Sequence, residues 1–139
     1  MTTKLTFKDS FMAGLMAAVA ATVVNAILFF VFHATGVISD TIFIQPNQPM
    51  TIVPIIISSI LPTLIATLVF FLLEKYTKSG FKVFRIISIV LLVLSFINPF
   101  VGIVGVTVGY AVVLNIMHIV VVAALLYFIG KSIKKNTTA

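Results

Sequence analysis

The chain has 139 residues, 61% of them hydrophobic and only 9% charged, with a net charge of +6. A soluble domain carries about 25% charged and about 45–50% apolar residues, so this chain could not cover itself with polar surface in water. The length suits one compact unit, residues 1–139, and the lack of cysteine excludes disulfides, thiolate metal sites and cysteine nucleophiles.

Lys4 and Lys8 precede a first apolar run at about 10–34. This run is longer than the apolar stretch of about 7–15 residues in a signal peptide, so it reads as a retained helix. Its small residues, Ala13, Gly14, Ala17, Ala18 and Ala21, make a face suited to close packing against a neighbouring helix. Thr22 and Asn25 follow, with His33 near the far end.

The connection at 35–50 contains no basic residue. Two β-prone segments flank its turn cluster, Gln45-Pro46-Asn47-Gln48-Pro49. That order predicts a small hairpin over one mouth of the bundle, with an irregular interfacial loop as the alternative. A second run covers 51–73, with Pro54, Ser58, Ser59, Pro62 and Thr63 along it. Either proline can kink it and free backbone carbonyls.

The short connection at 74–82 is basic. Lys75, Lys78, Lys82 and Arg85 lie in it or just beyond it. A third run spans 83–101 and is interrupted at Asn98-Pro99. Gly102, Gly105 and Gly109 then lead into a fourth run at 108–130, which carries Asn115 and His118. Lys131, Lys134 and Lys135 follow it.

About 20 apolar residues at 1.5 Å each cross a hydrocarbon core of about 30 Å, and only helices satisfy the backbone in runs this long. The fold class is therefore all-α: a polytopic membrane protein whose four transmembrane helices form an antiparallel bundle. All nine Lys and Arg residues fall at one end of that bundle. Cytoplasmic segments retain such residues, which predicts both termini inside and a multi-pass protein of a bacterial inner membrane. Cations placed this way orient helices and attract anionic headgroups. They do not form a nucleic-acid patch.

No Asp, Glu, Lys or Arg lies within the runs away from their ends, which argues against a proton-driven pump. The remaining intramembrane polar residues fall mostly in the half away from the cations. Asn25, Ser58, Ser59, Asn98, Asn115 and His118 are the candidate ligand-binding residues, over a largely apolar inner half. An unpaired amide or imidazole in hydrocarbon costs several kcal/mol, so these groups must face one another, backbone or water. Two readings follow. They are interhelical packing groups, or they line a cavity that opens outward.

His33 and His118 belong at different depths, a poor geometry for a shared metal ion or a bis-His haem, so no metal or cofactor is expected. No Ser–His–Asp set or phosphate loop appears either, and a non-enzymatic role is the leading expectation. Tyr76, Tyr110 and Tyr127 are read as interfacial anchors, since the chain has no tryptophan.

The loop with its proline-rich turn, the Leu72-Leu73-Glu74-Lys75 segment and Leu114-Asn115-Ile116-Met117-His118-Ile119-Val120-Val121 resemble a family of small bacterial four-helix membrane proteins of unknown function, DUF6069. Asn98-Pro99 sits where that family carries polar residues or proline. The resemblance implies an integral membrane protein and brings no activity with it.

The leading functional expectation is a membrane protein whose outward pocket takes a small or lipidic ligand, or docks a partner protein, amid membrane lipids. A small transporter or channel subunit acting as a homo-oligomer is the alternative. A redox or enzyme subunit using His118 is the third.

Overall fold

A computed structural model describes residues 4–138. Its elements in chain order are α1 (Phe7–Ala34), β1 (Phe43–Gln45), β2 (Gln48–Pro49), α2 (Ile52–Tyr76), α3 (Gly80–Ser95), α4 (Asn98–Gly102) and α5 (Val108–Thr138). Four stretches are long and apolar enough to cross a membrane: α1, α2, α3 with α4, and α5. The protein is a helical, multi-pass membrane protein.

Local chemistry sets where α1 begins and ends. The Thr6 hydroxyl accepts the Asp9 N–H at 3.1 Å and donates to the Asp9 carboxylate at 2.6 Å, so a Thr-x-x-Asp box caps the first turn. The helix thus starts three residues before its apolar run. At its other end Gly36 takes a left-handed φ of 78°, a conformation that stops a helix and suits glycine. Beyond it the loop forms the expected hairpin, with β1 antiparallel to β2. Pro46 and Asn47 make the turn, and Asn47 has φ 59°, the proline-then-left-handed order of a type II turn.

The helices alternate in direction around a ring, α1–α2–α3–α5. The tightest packing joins α1 to α2 and to α5, while α3 packs less extensively on its neighbours. The small-residue face of α1 explains the tight side. Ala13, Gly14, Ala17, Ala18 and Ala21 are all buried, and a Cβ placed on Gly14 would overlap the Thr67 side chain. Bilayers offer little hydrophobic drive between helices, so close backbone approach is what small residues contribute.

Two apolar clusters result. One, at the hairpin end, gathers Phe29, Ile38, Ile42, Met50, Ile55, Tyr110, Val113 and Met117. The other, toward the basic end, gathers Leu5, Ala13, Ala17, Phe70, Phe84, Leu125 and Ile129. There the Lys4 ammonium donates to the Lys75 and Thr77 carbonyls at 3.0 and 3.3 Å, where a cation meets the negative end of α2.

Several expectations need correction. The largely apolar basic half also buries Ser10, Thr63, Thr67 and Ser88. Thr63 and Thr67 satisfy their hydroxyls within α2, donating to the Ser59 and Thr63 carbonyls at 2.6 and 2.7 Å, so hydropathy alone does not exclude them. Tyr110 is fully buried beneath the hairpin and is not an interfacial anchor. Tyr76 and Tyr127 are exposed, with the Lys75 and Lys131 ammonium groups over their rings at 5.3 and 5.9 Å. The third span divides at Phe96 and Ile97, and α5 continues well past Gly130 into the lysine-bearing tail.

Candidate functional site

Asn25 joins three spans. It is only 2% exposed, and its Nδ2 donates to the Ser59 hydroxyl on α2 at 3.0 Å and to the Met117 carbonyl on α5 at 3.3 Å. Both amide hydrogens are therefore spent between helices. Its Oδ1 is buried without a hydrogen-bond partner among the described residues. Buried polar atoms are nearly always paired, and an orphan costs about 1–3 kcal/mol.

Asn25 forms part of the wall of a cavity of about 300 Å³ at the hairpin end. Ser58, Asn98 and His118 supply the other polar side chains, and Ile44 and Met50 from the hairpin region help close it. Pro54, Pro99 and Gly102 also line it. Pro99 and Gly102 belong to α4, just past the division of the third span at Phe96 and Ile97. No Asp, Glu, Lys or Arg is in the lining.

Four of the six candidate residues thus meet at one cavity: Asn25, Ser58, Asn98 and His118. The other two stand behind it. Ser59 is buried on the far side of Asn25 as its hydrogen-bond acceptor. Asn115 turns toward the end of α3 and donates to the Phe96 carbonyl at 3.1 Å. That carbonyl lies where the helix breaks and would otherwise lack an intrahelical donor. Asn115 is a clasp for the α3–α4 joint.

His118 is half-buried, with Nδ1 3.5 Å from the Ser95 hydroxyl. The Ser95 hydroxyl already donates to the Leu92 carbonyl at 2.7 Å, so it holds the imidazole only weakly. Ser58 is exposed and donates to the Ile55 carbonyl at 3.2 Å. Asn98 is exposed and makes no side-chain hydrogen bond among the described residues. His33 lies apart from the cavity, paired with Asp40 in the loop at 3.0 Å. Among the described residues no cluster of three or more His, Asp or Glu side chains could hold a metal ion.

Chemically, the cavity presents a hydroxyl, amides and an imidazole on an otherwise apolar wall, with no carboxylate beside them in the lining. Sequence reasoning missed the Met117 carbonyl and the contribution of Ile44. A backbone acceptor leaves no trace in residue identity, and Ile44 reaches the wall only through the hairpin turn.

No curated protein and no solved structure matches the chain. Residues 7–135, nearly the whole chain, match a family of unknown function, DUF6069. The cavity, its clasp and the packed α1–α2 face all fall within the matched residues, and the chain belongs to the DUF6069 family.

Proposed function

We propose that this is a non-enzymatic membrane protein whose hairpin-end cavity faces the outside of a bacterial inner membrane and binds a small uncharged or lipidic ligand. The observation that carries this reading is the meeting of four polar side chains, Asn25, Ser58, Asn98 and His118, on an otherwise apolar and uncharged cavity wall. A ligand hydroxyl or amide that pairs with Ser58, Asn98 or His118 gains strength from the surroundings, which are drier than water. Gathering of all the Lys and Arg residues at the opposite end supports the outward orientation.

The test compares the molecules that co-purify with the wild-type protein and with Ser58→Leu, a substitution that fills the cavity from an exposed position. Solvent extraction and mass spectrometry of both should show one species depleted from S58L. An equally exposed change elsewhere on the same helix, Ile57→Ala, should retain that species. Identical extracts from wild type and S58L would sink the reading.

A further inference from the structure

A second cavity, of about 290 Å³, lies between α2, α3 and α5. Ser58, His118 and Val121 line both cavities. The two chambers therefore meet at a common wall, and beyond it Ala66, Leu91 and Leu125 make the second mostly apolar, with Ser88 and Ser95 on its α3 side. This crevice exists because α3 packs less extensively than the other spans. It opens sideways toward lipid, since Leu91 is 60% exposed.

Resting on the binding reading above, we propose that the ligand is a neutral single-chain amphiphile. Its hydroxylated head sits among Ser58, Asn98 and His118, and its hydrocarbon chain runs past His118 into the crevice behind α3. Three observations converge on this class. The head must be uncharged, because neither chamber is lined by a Lys, Arg, Asp or Glu side chain, and an unpaired phosphate or carboxylate is strongly disfavoured away from water. The head must hydrogen-bond, because the exposed Ser58 and Asn98 and the half-buried His118 all line the hairpin-end chamber. Pro62 lines the crevice and has no N–H for the Ser58 carbonyl one turn back, which leaves a further acceptor near the shared wall.

The crevice has room for one chain segment: at about 30 Å³ per water-sized group, 290 Å³ holds roughly ten such groups. Moving a chain from bilayer to crevice changes its apolar surroundings little, so hydrogen bonds to the head set the selectivity.

Photocrosslinking in nanodiscs of zwitterionic phospholipid tests this. Two monoacylglycerol probes are used, one with a diazirine at the chain end and one with it beside the glycerol, and labelled residues are mapped by mass spectrometry. The chain-end probe should label Ala66, Leu91 or Leu125 saturably. Excess unlabelled monoacylglycerol should displace it, whereas a lysophosphatidate of the same chain should compete about tenfold more weakly.

Chain-end label spread without saturation over lipid-facing positions such as Val90 and Leu94 would overturn the proposal. If the glycerol-end probe still saturates at Pro54 or Gly102 in that case, the binding reading survives alone. If neither probe saturates, both fall. Equal competition by the lysophosphatidate would overturn the neutral head.

Discussion

Asn25 Nδ2 stands 3.0 Å from the Ser59 hydroxyl and 3.3 Å from the Met117 carbonyl, so a single amide stitches α1 to α2 and to α5. Interhelical hydrogen bonds in bilayers average about 0.6 kcal/mol and reach about 1.7 kcal/mol. Asn25→Ala removes two of them, together with the orphan oxygen. Reversible unfolding in mixed micelles should register a loss of about 1–2 kcal/mol, the sum of two such bonds. Ser59→Ala, which leaves the bond to Met117, should cost less. A Ser59→Ala penalty as large as that of Asn25→Ala would contradict the shared role.

Gly14 and Thr67 make a steric prediction. Gly14→Ala places a Cβ against the Thr67 hydroxyl and methyl, and overpacking of this kind costs about 1–3 kcal/mol. Thr67→Ala removes two of the three offending atoms. The double variant should therefore recover part of the loss, a coupling that unfolding measurements on all four proteins would expose. Simple addition of the two single costs would mean that the helices are not in contact there.

Asn115 donates to Phe96 across the joint between α3 and α4. Asn115→Ala should leave the bundle folded but loosen its hairpin end. Hydrogen exchange is the appropriate measurement, and amides at 97–102 should exchange faster while those of α1 near Asn25 stay unchanged. Faster exchange throughout the protein would assign Asn115 a global packing role.

The natural absence of cysteine makes orientation easy to test. Asn47→Cys, at the hairpin turn, should react with a membrane-impermeant maleimide on intact cells. Lys78→Cys, in the turn between α2 and α3, should react only after permeabilisation. The reverse pattern would invert the topology and turn the cavity toward the cytoplasm.

Much of this architecture was legible in the residues, and the gaps have physical causes. The four runs marked the spans, the Pro46-Asn47 pair marked the turn, and the alanine–glycine face of α1 marked its packed side. Helix rotation was harder to read. In lipid an outward face is as apolar as an inward one, so periodicity does not reveal which side is buried.

Ser58 and Ser59 show the result. They are adjacent and chemically identical, yet one is exposed at the cavity and the other is 1% exposed behind Asn25. Asn115 and His118, three residues apart, share a face as their spacing implies. That face meets the end of α3, and only His118 reaches the cavity. The end of α5 was hidden because hydropathy stops at Gly130 whereas the helix continues through Lys131, Lys134 and Lys135.

The α1–α2 seam is built entirely from the first 76 residues of the chain. Domains assemble from the N-terminus as synthesis proceeds at about 5–20 residues per second. Gly14 can seat against Thr67, and Asn25 against Ser59, through contacts that need no residue beyond α2. The hairpin-end cavity must wait for Asn98, Met117 and His118. The α1–α2 pair can thus form first, with the cavity wall completed only as the final span docks.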